Sequence, residues 1–107
     1  MTKQKRLSKN EFRYNYNTKH MNYVFEEQGK KYHSLGLTHQ KKTFGKKNMP
    51  LSQNPQKNAK GKSYIRNGII TDNKRSYSQK TYKNFSFANA DKPNIKSKIR
   101  YYKSRRK

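Results

Sequence analysis

The chain has 107 residues, with 28 Lys and Arg against 5 Asp and Glu, a formal net charge of +23, and 28% hydrophobic residues. This length holds one domain at most, and the absence of cysteine excludes disulfides and thiolate metal sites. Charge of this size opposes folding by self-repulsion and points to a polyanionic partner, nucleic acid first.

Residues 1–10 hold Lys3, Lys5, Arg6 and Lys9 with almost nothing apolar, and read as a flexible basic arm. No apolar run follows that would make a secretory signal, and no stretch is long and apolar enough to span a membrane. The expected location is the cytoplasm, bacterial or phage-encoded. Phe12, Tyr14 and Tyr16 alternate with Arg13 and Asn15, a strand period, and Asn17-Thr18-Lys19 reads as a turn. Met21, Tyr23 and Phe25 form one strand face, which His33, Leu35 and Leu37 continue after a loop at Glu26–Lys30. A three-residue loop with left-handed Gly29 predicts Glu26 opposite Lys30, Tyr23 opposite His33 and Met21 opposite Leu35. Residues 11–39 therefore read as a three-stranded meander.

Residues 40–62 have loop composition, with a dense basic stretch at 41–47, and Phe44, Met49 and Leu51 as anchors onto the sheet. Ser63–Thr71 is the next apolar run. Its Asn67-Gly68 predicts either a tight turn pairing Ile65 with Ile70 or one strand bulged at Gly68. Phe85 and Phe87 suggest a short strand or an anchoring segment. Asp91 reads as a helix N-cap and Pro93 as a first-turn residue. Ile95, Ile99 and Tyr102 then form a narrow apolar stripe, with Lys96, Lys98, Arg100 and Lys103 on the other faces. The expected fold is α+β: a small antiparallel sheet, one C-terminal amphipathic helix and flexible basic termini. Residues 11–103 form the domain and 104–107 a basic tail.

Lys41, Lys42, Lys46 and Lys47 surround Gly45 in one loop. Their ammonium groups suit phosphates as point charges that read no sequence. Lys96, Arg100, Lys103 and Arg66 extend this basic set. Tyr14, Tyr16, Tyr32 and Tyr64 are available for base stacking, with Tyr32 and Tyr64 the foremost candidates; core packing is the competing role of all these rings. His33 and His39 are candidates for the base and acid of metal-independent RNA cleavage, with Lys42 or Arg66 stabilising the charged phosphate. Both are on one extended segment, however, ~20 Å apart unless the chain bends at Gly36 or after Leu37. A one-histidine version would join His33 to Tyr64, Arg66 and Lys42. The five carboxylates are scattered, and no metal site, cofactor or small-molecule substrate is expected.

The stretch His33–His39, followed by Lys42–Leu51 and Asn54-Pro55, resembles small basic proteins encoded on phages and conjugative elements of AT-rich bacteria. The similarity covers about residues 20–72. The plan of a meander, basic loops and a terminal helix also resembles RNase toxins of the barnase and RelE type, though no catalytic motif of theirs matches residue by residue. The expected function is binding of nucleic acid, RNA ahead of DNA, without strong sequence preference. The alternatives are a metal-independent RNase toxin using His33, and a component or modulator of a nucleoprotein assembly such as the ribosome or a phage machine.

Overall fold

The computed structural model describes residues 5–105. Strands β1 (Arg6–Asn15), β2 (His20–Gln28) and β3 (Lys31–Thr38) form the antiparallel meander. β4 (Lys42–Thr43) and β5 (Lys46–Lys47) make a small separate hairpin, followed by β6 (Met49–Pro50), β7 (Tyr64–Ile65) and β8 (Ile70–Asn73). A 3-10 turn spans Lys74–Ser76, and helix α1 spans Lys92–Arg105. The protein is thus α+β, an antiparallel sheet with one C-terminal helix. Among the described residues no helix is long and apolar enough to cross a membrane.

Both basic ends are shorter than composition suggests. Arg6 to Asn10 belong to β1, where Arg6, Leu7 and Ser8 pair with Gln28, Glu27 and Glu26. Ser104 and Arg105 complete the last turn of α1. Residues 1–4 and 106–107, the remainder of the expected arm and tail, lie outside the described residues.

The β2–β3 turn is tighter than the three-residue loop expected. Gln28 pairs with Lys31, leaving Gly29 and Lys30 as the loop, with Gly29 at φ 58° as the turn requires. Glu26 consequently pairs with His33, and a one-residue bulge between Val24 and Glu26 then sets Tyr23 opposite Leu35. The bulge also reverses which parity faces which side. Met21, Tyr23 and Phe25 pack with Leu35 and Leu37 toward α1, as the alternation predicts. Beyond the bulge Glu26, not Glu27, shares that face with His33.

β7 and β8 lie end to end along the free edge of β3. Leu37 and Thr38 pair with Ile65 and Tyr64, and Lys31 to Ser34 pair with Asn73 to Ile70. Neither form of the Asn67-Gly68 reading is realised: Ile65 and Ile70 do not pair, and residues 66–69 leave strand structure between β7 and β8 instead of forming a bulge in one strand. The chain then crosses to the other edge of the meander. Tyr16 N–H donates to Ser76 O, Ser78 N–H to Tyr14 O and Tyr82 N–H to Phe12 O, each at 2.8 Å. One segment, 70–82, therefore bonds to the outer edges of both β3 and β1, and the sheet curls into a ring. Inside it sit Val24, Tyr32 and Tyr77 with fully buried Asn15, Asn22 and Ser34. Burial raises the Tyr77 phenol above its ordinary pKa, which keeps its hydroxyl protonated against Ser34 Oγ at 2.8 Å.

The second core lies between the sheet and α1. Ile95 is 4% exposed among Phe12, Phe25, Leu35, Leu37, Leu51 and Ile65, with Ile99 and Tyr102 beside it. Phe85 and Phe87 anchor the 83–90 segment by packing on Phe12, with ring centroids 5.6 and 5.1 Å away. Asp91 stands at the start of α1, where Ile95 N–H donates to its carbonyl, but its carboxylate accepts from Ser52 N–H and Oγ. It therefore ties the 51–53 loop to the helix. Replacing Ile95 with Ala should cost ~2–5 kcal/mol through lost burial and a residual cavity, read as a lower urea midpoint with α1 detached from the sheet by hydrogen exchange.

Candidate nucleic-acid interface

The basic stretch at 41–47 is an ordered hairpin. Lys42 pairs with Lys47 and Thr43 with Lys46 across a turn of Phe44 and Gly45, whose φ angles are 52° and 75°. Two consecutive left-handed residues make the tight hairpin turn whose twist suits its strands, and the second is glycine, as that geometry favours. The first is phenylalanine, a bulky residue rarely found there. Its ring is 85% exposed, so the anchoring role expected for Phe44 is not what the structure shows. Arg66 lies with its guanidinium carbon 5.2 Å from that ring's centre. Lys41, Lys42, Lys46 and Lys47 are all exposed.

Two asparagines hold this hairpin to the sheet. Buried Asn48 donates from its backbone to Lys41 O and from its side chain to Gln40 O and Thr43 Oγ1. Asn67 donates to Thr43 O and to Asn48 Oδ1, both at 3.0 Å, and to Lys46 O at 3.3 Å. The hairpin's inward carbonyls are thereby satisfied, and its cations and its ring point to solvent. Asn67 shapes this bracket rather than a β-hairpin of its own, and residues 66–69 leave strand structure between β7 and β8. Sequence reading missed both residues, since an isolated Asn in a loop has many uses; the Asn67-Gly68 pair was the only signal.

The tyrosines proposed for stacking are mostly internal. Tyr32 is 8% exposed, edge-on to Tyr77 at 5.2 Å, with Arg13 and Lys74 5.3 and 5.4 Å from its ring centre. Tyr64 is 7% exposed and is paired with both Thr38 and Pro50. Neither offers a face to a base; in a chain poor in aliphatic residues, tyrosines build the core. Tyr14 is half-buried, and Tyr16 is 58% exposed.

The histidines do not meet. β3 continues as a strand to Thr38 with no bend at Gly36. His33 is buried, its Nδ1 2.8 Å from Thr71 Oγ1 and its Nε2 3.0 Å from Gln28 Oε1. Glu26 Oε1 is 3.9 Å from the same Nε2. Both ring nitrogens are thus held by neighbouring side chains, from β2 and from β8. This ring joins β3 to β8. His39 is exposed, with Nδ1 3.1 Å from Lys62 O. Tyr64 pairs with Thr38, five positions along β3 from His33, or ~17 Å. The one-histidine grouping of His33 with Tyr64, Arg66 and Lys42 is therefore not brought together.

On α1, Lys96 and Arg100 are exposed, whereas Lys103 reaches Glu26 Oε2 at 3.7 Å and belongs partly to the fold. Every carboxylate is engaged within the protein. Glu11 bonds Arg13 at 2.8 Å, Glu27 pairs with Lys74 at 2.8 Å and Lys9 at 3.4 Å, Asp72 accepts from Asn15, and Asp91 from Ser52. Among the described residues no carboxylate lies within ion-pair distance of the hairpin lysines, Arg66, Lys96 or Arg100. No family model, curated protein or solved structure matches the chain.

The Lys74 hydrogen bond, supported by Lys9, holds the Glu27 carboxyl below its ordinary pKa despite partial burial. A lowered folded-state value means that stability from this group is complete above about pH 4.3, the unfolded value, and is lost as pH falls through the folded one. Glu27→Gln should therefore flatten the acid limb of stability below that pH and lower stability at neutral pH, measured by urea titrations across pH 3–7.

Proposed function

We propose that the protein binds nucleic acid through the 41–47 hairpin and Arg66, with Phe44 stacking on a base and the lysines on phosphates. The observation that carries this reading is the hairpin tip itself. Lys42 and Lys47 stand directly opposite each other, an arrangement that destabilises a strand pair. Phe44 adds an unfavourable backbone conformation, of order 1–3 kcal/mol, and an apolar ring in water. All three costs fall at one point, on a hairpin held firmly by Asn48 and Asn67. A partner that is both anionic and π-faced would offset them.

Nucleic acid has both properties. Lysine ammonium groups recognise phosphates without reading bases, and stacking tolerates every base, so the expected binding has little sequence preference. RNA is placed ahead of DNA because unpaired, splayed bases in loops and bulges are the usual partners of exposed aromatic side chains.

Affinity should fall steeply with salt, and Lys42→Ala/Lys47→Ala should reduce the slope of log K against log salt by about 1.4–1.8. Phe44→Gly should weaken binding by ~1–3 kcal/mol through lost stacking. The same change should leave the melting temperature unchanged or higher, since glycine suits the left-handed position. Anisotropy titrations with a labelled unstructured RNA, alongside thermal melts, read both effects. Salt-insensitive binding, or full affinity in both variants, would count against the assignment.

A further inference from the structure

A second cationic and aromatic surface lies along the segment that closes the sheet. The segment that closes the sheet leaves a groove of about 860 Å³ between itself and the end of β1. Its walls include Arg13, Tyr16, Arg75, Lys80 and Tyr82, and Tyr32 and Tyr77 form the floor. No residue of the 41–47 hairpin lines it, nor does Arg66. A recess of this size accommodates a group as large as one or two nucleotides.

The groove is built rigidly. Arg13 donates to both Ser78 O and Gln79 O at 2.8 Å while its Nε holds Glu11. Ser78 Oγ donates to Lys80 O at 2.8 Å and accepts from Tyr14 N–H at 3.0 Å. The turn at 78–80 is thus fixed from both sides. Two of the four cations at the rim are already engaged, Arg13 by Glu11 and Lys74 by Glu27. Arg75 and Lys80 are exposed and have no carboxylate within ion-pair distance among the described residues. Beside them Tyr16 presents a ring 58% exposed, braced by Tyr14 at 5.4 Å, and Lys80 lies 4.6 Å from the Tyr82 ring centre.

We infer that this groove is a second nucleic-acid site, specific for a single strand: Tyr16 stacks on an unpaired base, and Arg75 and Lys80 hold the flanking phosphates. The inference rests on the nucleic-acid reading of the hairpin and adds to it a separate contact that discriminates single from double strands. Paired bases cannot leave the stack to enter a recess without the cost of unpairing, whereas a single strand presents them freely.

The test uses the full chain with two labelled probes, an oligouridine of about ten nucleotides, within the usual site size for such proteins, and a blunt duplex of similar strand length. Arg75→Ala/Lys80→Ala and Tyr16→Ala should each weaken oligouridine binding about tenfold, the first also lowering its salt slope by about 1.4. Duplex binding should change by less than about twofold in both, and Arg75→Lys/Lys80→Arg should retain single-strand affinity. Circular dichroism melts check that the exposed substitutions leave the fold intact. If both variants bind oligouridine like the parent while the hairpin variants lose affinity, the groove is not a site and the hairpin reading stands. Equal losses on both probes with Tyr16→Ala silent reduce the groove to unspecific charge and overturn the inference. A parent that binds neither probe at low salt overturns the hairpin reading and the groove with it.

Discussion

Five carboxylates must hold together a chain that carries 28 cationic side chains, and each stands at a joint. Glu27 receives Lys74 from the turn that carries the chain from one sheet edge to the other. Asp72, on β8, accepts from Asn15 at the end of β1, so the ring is pinned across its interior. Glu26 draws Lys103 of α1 onto β2 beside His33. Asp91 fastens the 51–53 loop to the start of α1, and Glu11 orients Arg13. The bulge at Phe25 belongs to the same scheme, since it turns Glu26 toward the helix and Glu27 toward Lys74. All five side-chain carboxylates are engaged within the protein, and among the described residues the exposed lysines have no carboxylate within ion-pair distance.

The same economy of apolar residues explains the two cores. Leucine, isoleucine and valine are too few to fill both sides of a curled sheet. One side collects most of them with Phe12, Phe25 and the stripe of α1; the other is filled by Tyr32, Tyr77 and bonded polar groups such as Asn22 to Ser34. A polar interior of this kind tolerates little change, because each member has a partner that would be left unsatisfied. It also gives rigid support to the surfaces outside it: the 78–80 turn rests on Arg13 and Tyr77, and the 41–47 hairpin rests on Asn48 and Asn67.

How much of this could be read from residues alone depended on the range of the interaction. The odd-numbered face from Met21 to Leu37, the helical stripe of Ile95, Ile99 and Tyr102, and left-handed Gly29 are properties of neighbours in sequence, and periodicity exposes them. The pairing register was not local. It depended on Gln28 closing the turn with Lys31, which displaces the expected alignment by three residues, and on a bulge at Phe25 that gives one of them back. Tyr32 and Tyr64 look the same in sequence as exposed Tyr16; closure of the ring by residues 70–82 encloses Tyr32, and pairing of β7 between β3 and β6 encloses Tyr64. The basic loop was legible as charge but not as a hairpin, because its ordering comes from Asn48 and Asn67, the latter 21 residues from the Lys46 carbonyl it binds. His33 drew attention as a titratable side chain, and its contacts with Gln28 and Thr71 give it a structural place instead.

Salt acts on the fold and on the proposed interface in opposite directions. In the free protein, screening relieves repulsion among uncompensated lysines such as Lys42 and Lys47, so ionic strength favours the folded state. The buried bonds of Asp91 and Asn15 are screened much less. In a complex, the same cations displace counterions from a phosphate backbone, and added salt reverses that gain. On the proposed reading, bound nucleic acid would play the part of the missing counterions and neutralise repulsion that the five carboxylates do not reach. On that reading the charges that weaken the hairpin by itself are those that would bind it to a polyanion, while Asn48 and Asn67 keep it ordered on the sheet that carries it.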